Sequence, residues 1–226
     1  MRTRGVADGQ RRRLIALDGV QTSDVAAATE VLVETLSARH VPVGVSRFDA
    51  SGLFGDLAAA APETRMVSPR TVVLMYAADL AFRLRWEIAP ALERGSMIIA
   101  APYVATATSF GLAAGLPADW LRTLFAFAPE PGSTIVLRDR NPDRLWKRRP
   151  DRGFCEWCTM VLELTPAGFS RRKVRAAMSA ALTAIGGQHG GPVRKRELDG
   201  LADDLVKPAR RRGRDRLAAS SPNRRP

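Results

Sequence analysis

The run Leu14-Ile15-Ala16-Leu17 is wholly apolar and gives way at once to Asp18-Gly19 and the polar stretch Gln21-Thr22-Ser23-Asp24. A strand with no polar alternation needs cover on both faces, which places residues 14–17 at the centre of a parallel sheet. A helix is predicted next. Val25, Ala28, Leu32 and Leu36 recur at helical spacing, and Ser23 or Asp24 can cap its start by accepting a backbone N–H. A second strand over residues 41–45 completes a strand-helix-strand unit, the building block of a parallel sheet with right-handed crossovers.

The rest of the chain keeps this rhythm. Residues 48–68, rich in Gly, Ala, Ser and Pro, read as loop. A long helix starts at Pro69, a residue allowed in the first turn, and runs through Leu74, Ala78, Ala81 and Arg85 until Pro90 bends or restarts it before Gly95. Strands are predicted over residues 96–100, 133–137 and 159–164. Leu116-Pro117-Ala118-Asp119 opens a short helix, and Asn141-Pro142 caps a basic helical segment ending at Lys147. A final helix begins at Thr165-Pro166 and stops at Gly186-Gly187, with Phe169, Val174, Met178 and Leu182 inward. The expected fold is α/β: a three-layer sandwich with a mostly parallel sheet of about five strands and helices on both faces.

Composition divides the chain into a body and two basic ends. The 226 residues are 46% hydrophobic, enough for one sizeable core. The net charge is +12, yet residues 1–13 contribute +4 and residues 206–226 contribute +7, which leaves +1 for everything between. Residues 1–12 therefore read as a disordered basic arm, 13–190 as the α/β domain, and 191–226 as a basic, mostly disordered tail with one short helix near 194–206. No apolar run has the length of a signal-peptide core or a membrane span. A cytoplasmic protein without membrane attachment is expected.

Isolated chemical signals are few. Cys155 and Cys158 have the spacing of a redox motif or half a zinc site, but the only histidines are His40 and His189, so two reduced packing thiols are the favoured reading and no metal is expected. A shared site or a disulfide stays open. His40, beside Arg39 at a predicted helix end, reads as a solvated group suited to the helix dipole, and His189 lies in a Gly-rich loop. Arg144, Lys147, Arg148, Arg149 and Arg152 surround Trp146 and form a candidate basic lid, a nucleic-acid patch or simply a solvated loop.

A sharper signal comes from the order of several segments. The strand ending in Asp18-Gly19-Val20, the helix bearing Ala77-Ala78-Asp79, the turn Arg85-Trp86-Glu87-Ile88-Ala89-Pro90-Ala91-Leu92-Glu93-Arg94-Gly95, and the strand followed by Pro102-Tyr103 occur in sequence. Together they resemble the thymidylate kinase family over roughly residues 13–140, and more loosely to about residue 186. The resemblance implies a P-loop fold and a site for ATP, Mg²⁺ and a nucleoside monophosphate. It also implies pairing through helices into a homodimer.

The chemistry of that family departs here at most of its positions. A working phosphate loop uses glycines so that backbone N–H groups can close round phosphate, a lysine that reaches the β and γ phosphates, and a hydroxyl for the metal. Aligned on Gly19, the chain places Thr22 and Asp24 at later glycine positions, Val25 at the lysine and Ala26 at the hydroxyl. Asp24 sets a carboxylate where a polyphosphate would lie. On the acceptor side Ala101 and Pro102 precede Tyr103 in place of aspartate and arginine, Leu80 replaces the arginine after the Ala-Asp pair, and Arg47 is retained along with Asp79.

The expected function is accordingly a thymidylate-kinase-like protein with vestigial phosphate and substrate sites. It would serve as a non-catalytic scaffold, regulatory or protein-interaction subunit, with no cofactor and with a protein partner or second copy bound. The alternative is a nucleoside monophosphate kinase (ATP and dTMP to ADP and dTDP) using ATP and Mg²⁺, with replacement cations from residues 144–152. A third reading is a nucleic-acid-associated protein acting through its basic ends.

Overall fold

The computed structural model describes residues 12–20, 22–60, 68–137, 171–185, 190–191 and 200. The elements are β1 (Leu14–Gly19), α1 (Thr22–Ala38), β2 (Val43–Arg47), α2 (Leu53–Ala60), α3 (Pro69–Arg83), a π-helical turn (Leu84–Ile88), α4 (Ala89–Glu93), β3 (Met97–Ala101), α5 (Val104–Ala113), α6 (Ala118–Leu124), β4 (Ser133–Leu137), α7 (Arg171–Ile185) and β5 (Gly190–Gly191). All pairings are parallel, in the order β2-β3-β1-β4-β5. β1 is central, as its unbroken apolar run requires.

Among the described residues four full strands carry the sheet, against the expectation of about five. The two residues of β5 add only an edge pairing to Val136 and Leu137. The strand anticipated at 159–164 lies outside the described residues. So do the helix at 141–147, Phe169, the whole basic segment from Arg144 to Arg152, both cysteines, His189, residues 1–11 of the arm and the tail beyond residue 200.

The period of two along each strand divides the core into two layers. Ile15, Leu17, Met97, Ile99, Ala101, Ile135 and Leu137 face α1, which answers with Val25, Ala28, Leu32 and Leu36. Leu14, Ala16, Ile98, Ala100 and Val136 face the opposite side and meet α3, α5 and α7. Fully burying a side chain such as Leu32 or Leu36 contributes about 1.5–3 kcal/mol. The first layer is aliphatic, whereas the second includes the aromatic cluster of Phe48, Phe54, Tyr76 and Phe125.

Two sequence expectations are corrected. Residues 48–68 are not loop throughout, because Leu53–Ala60 forms α2. Its start is capped by Asp49, whose carboxylate accepts from Phe54 N at 3.0 Å and Gly55 N at 2.8 Å; the distance of Asp49 from the helix hid it as a cap. Helix α5 was not anticipated either. It is buried nearly all round, through Ala105, Thr106, Ala107, Ser109, Phe110 and Gly111, so it lacks the one-sided apolar period that marks a surface helix. A Cβ on Gly111 would stand 2.6 Å from Leu121 Cδ2, so glycine there permits α6 to pack closely.

Helix α3 starts as the sequence indicates. Ser68 accepts from Thr71 N at 3.1 Å and Pro69 occupies the first turn. The bend or restart expected at Pro90 is a restart: after a π-helical turn over Leu84–Ile88 the chain continues as α4 with Pro90 in its first turn. Val174, Met178 and Leu182 of α7 are buried against α5, in line with their spacing.

Candidate functional site

Every sheet position singled out from the sequence lies at the C-terminal edge of the strands, where open parallel sheets hold ligands. The edge has two parts. One is the turn from β1 into α1; the other is the space between the ends of β2 and β3 and helix α3.

At the first part, Asp18 ends the buried run and is itself 1% exposed. Its Oδ1 accepts three hydrogen bonds: Tyr103 N at 2.8 Å, Thr106 N at 2.9 Å and Thr106 Oγ1 at 2.7 Å. The carboxylate thus occupies the N-terminus of α5 and spends backbone donors that could otherwise meet an anion. Gly19 N donates to Thr106 Oγ1 at 3.2 Å. Burial pushes the Asp18 carboxyl above its ordinary range, opposed by the hydrogen bonds from Thr106 and Tyr103. Its Oδ2 is buried without a hydrogen-bond partner. Thr106 was missed in the sequence because nothing about helix α5 marked it.

Val25 is 2% exposed and belongs to the aliphatic layer beneath α1. Its Cγ2 would lie 2.9 Å from a Cβ on Gly19, so glycine at 19 lets the valine close onto the strand end. Asp24 is exposed in the first turn of α1, where an acid suits the helix dipole. Ala26 is half-buried in the same helix. Thr22 and Ser23 open the helix, and Gln21 lies outside the described residues.

At the second part the principal side chain is one the sequence reading passed over. Arg83 is fully buried. Its Nε donates to Ser46 Oγ at 2.9 Å, one terminal nitrogen donates to the Ser46 carbonyl at 2.8 Å, and the other donates to the Pro102 carbonyl at 2.9 Å. Ser46 Oγ donates in turn to Glu87 Oε2 at 2.6 Å. The guanidinium therefore ties the end of β2 to the cis Ala101–Pro102 turn after β3. A recognisable signal existed: Arg83 follows Asp79 by four residues and Tyr76 by seven, on the buried stripe of α3.

Asp79 is also fully buried. Its Oδ1 accepts from Ser51 N at 3.0 Å and Ser51 Oγ at 2.8 Å, and its Oδ2 lies 3.9 Å from an Arg83 nitrogen. Desolvation raises its pKa, with the Ser51 hydrogen bonds and Arg83 opposing. Leu80, Ala101 and Pro102 are buried, and Arg47 is exposed at the end of β2. Tyr103 donates from its hydroxyl to the Pro129 carbonyl at 2.8 Å, and its own carbonyl accepts from Tyr76 Oη at 2.6 Å. Burial first, and the Asp18 charge second, raise its phenol pKa. The structure therefore brings Asp18 and Tyr103 into contact and seats Asp79 beside Arg83, while Arg47 and Asp24 are exposed.

A cavity of about 290 Å³ opens on the α5 side of β1 and β4 and is lined by Asp18, Tyr103, Phe125, Pro131 and Ile185 among others. Among the described residues no basic side chain lines it. His40 follows α1 with φ 57° and is exposed; the side chain that meets the helix end is Arg39, which donates to the Thr35 carbonyl at 2.9 Å. Among the described residues no cluster of His, Cys, Asp and Glu suits a metal, and no helix is long and apolar enough to cross a membrane.

A parallel sheet in the order 2-3-1-4, helices on both faces and a strand-turn-helix at its centre define a P-loop-like α/β protein. Three curated relatives make the class more specific. The chain is 33% identical over 109 residues to a probable thymidylate kinase of Pyrococcus abyssi, covering 48% of this chain and 50% of the relative. It is 31% identical over 124 residues to the thymidylate kinase of Xanthomonas oryzae pv. oryzae, covering 55% of each. It is 27% identical over 128 residues to probable thymidylate kinase 2 of Saccharolobus solfataricus, covering 57% of this chain and 60% of the relative. Over these stretches the chain is similar to thymidylate kinases. The matches span between half and three fifths of those relatives' length. No family model matches the chain.

Proposed function

We propose that this chain is a non-catalytic member of the thymidylate kinase fold that acts through protein contacts, as a scaffold or regulatory subunit, without ATP or Mg²⁺. The observation that carries the reading is the burial of Val25. The position that the family resemblance assigns to the phosphate lysine is an apolar core side chain, packed onto Gly19 and the strand end. A cation at that point cannot be supplied by a small rotation, because the side chain points into the layer between α1 and the sheet.

The surrounding groups support the same reading. Donors at the α5 N-terminus are taken by Asp18, Asp24 adds negative charge at the turn, and Ala26 has no hydroxyl for a metal. Arg83 has its donors engaged by Ser46 and Pro102. Groups that act as a unit in catalysis are strongly non-additive, so several simultaneous replacements leave no residual kinase rate worth the name.

The test is turnover of thymidine monophosphate with ATP and Mg²⁺, run beside a genuine thymidylate kinase. No turnover is expected, and ATP with Mg²⁺ is expected to leave the unfolding midpoint unchanged. A rate of about 1–100 per second, ordinary for kinases, would overturn the reading and return the basic segment 144–152 to consideration as the source of cations.

A further inference from the structure

Asp18 is held by one oxygen only. Oδ1 takes the backbone donors of Tyr103 and Thr106 and the Thr106 hydroxyl, whereas Oδ2 is buried with no hydrogen-bond partner. A buried carboxylate oxygen without a donor costs at least as much as a lost hydrogen bond, and more when it is charged. Strand residues alternate between faces, so Asp18 projects from β1 on the same side as Ala16, toward α5. Both line the cavity of about 290 Å³ that is walled by β1, β4, α5 and residues 125–131. The unpartnered carboxylate is part of a cavity wall.

The walls combine apolar side chains such as Val104, Phe125 and Pro131 with a few polar groups, the usual make-up of a small-molecule site, and the volume lies just below the range of about 300–1,000 Å³ common for such sites. A small ligand fits. The charged groups on the lining, Asp18 and Glu130, are both acidic, and among the described residues no basic side chain joins them, so an anion is disfavoured there. Tyr103 also lines the cavity, but its hydroxyl proton is given to the Pro129 carbonyl at 2.8 Å and does not answer Oδ2. Burial raises the Asp18 carboxyl above its ordinary range. A protonated nitrogen against Oδ2 would offset that penalty.

We infer that this cavity binds a small organic monocation, a protonated amine or amidine on a flat apolar body, whose N–H donates to Asp18 Oδ2 while the body packs against Phe125 and Pro131. The inference goes beyond the scaffold reading, because it gives the chain a ligand site on the α5 side of the sheet that uses neither phosphate nor Mg²⁺. Charge-assisted hydrogen bonds are roughly twice as strong as neutral ones. Asp18 therefore sets the choice of ligand, and the apolar walls set its size.

Benzamidine is the probe, titrated into the isotope-labelled full chain and followed by backbone amide chemical shifts. Shifts at Asp18, Thr106 and Thr134 are expected, with a dissociation constant of about 1 mM or tighter, within reach of so small a ligand. Benzamide, of nearly the same shape but uncharged, is expected to bind about tenfold more weakly. Asp18→Asn keeps an oxygen for the Tyr103 and Thr106 donors and is expected to weaken benzamidine about tenfold or more. Ala128→Phe fills the cavity from a partly exposed position and is expected to abolish the shifts. Trp86→Ser, outside the cavity lining, leaves binding unchanged. Circular dichroism melting confirms that each variant is folded, and Ala128→Phe carries the test should Asp18→Asn unfold. Absence of these shifts up to about 10 mM benzamidine overturns the inference, and so does equal affinity for benzamide or undiminished binding in either folded cavity variant. The probe carries no phosphate, so this result and the turnover assay can each fail alone.

Discussion

The two halves of the sheet's C-terminal edge are closed by opposite means. At the β1–α1 turn the closure is apolar: Val25 fills the space over Gly19, and the one buried acid, Asp18, is absorbed by the N-terminus of α5. Between β2, β3 and α3 the closure is ionic, with Arg83 bridging Ser46 and Pro102, Glu87 held through Ser46, and Asp79 nearby. An apolar plug loses only packing when a side chain is shortened, and leaves no polar group without a partner. A buried charged network fails sharply when one member is removed, because the remaining polar groups are left without partners in a low dielectric. The same edge therefore has a soft half and a brittle half.

The largest effect is expected at the brittle half. Arg83→Met keeps much of the volume but strands the Ser46 and Pro102 carbonyls, and a loss of about 3–5 kcal/mol in urea unfolding is expected. A loss below 1 kcal/mol, which is within the range of one ordinary hydrogen bond, would mean that the network contributes little and the contrast is false.

The next effect belongs to the soft half. Val25→Lys removes a buried apolar side chain and forces an ammonium to escape along the first turn of α1. The expected cost is about 2 kcal/mol or more. No kinase turnover is expected from this variant, since Asp24 and Ala26 are unchanged beside it. Stability equal to the wild type would show that the turn opens freely and that a phosphate loop is close at hand.

The smallest effect is one of pH. Burial raises the Asp18 carboxyl above its ordinary 3.8, so the folded state holds that proton more tightly than the unfolded chain does. Stability from this group is present at low pH and is lost as pH rises from 3.8 through the raised folded value. Asp18→Asn is expected to reduce that fall while keeping an oxygen for the Tyr103 and Thr106 donors. Comparing urea midpoints of the two proteins from acid to neutral pH isolates the effect; parallel curves would show that Asp18 ionises without penalty.

Much of this architecture was legible because local pattern and global fold agree. The unbroken Leu14-Ile15-Ala16-Leu17 run identified the central strand, the spacing of Val25, Ala28, Leu32 and Leu36 identified the covering helix, and Ser133 to Leu137 proved to be a strand with the predicted ends. The identities of Val25, Ala26, Ala101 and Pro102 could also be read directly. Their places in the fold could not. Val25 as a core residue depends on the close approach allowed by Gly19, and Asp18 as a cap for α5 joins residues 85 and 88 positions apart.

The sequence by itself determined the order of the four full strands and of helices α1, α3, α6 and α7, because periods of 2 and 3.6 are properties of neighbouring residues. It also determined which side chains stand at the β1–α1 turn: Thr22, Ser23, Asp24, Val25 and Ala26. Only the tertiary structure decided that Arg83 is the linchpin of the neighbouring edge, since its partners Ser46 and Pro102 lie 37 and 19 residues away. Helix α5 was likewise a tertiary outcome. Its Val, Thr, Ser and Gly residues have weak helix preference, and the segment is buried on nearly every side by the sheet, α6 and α7.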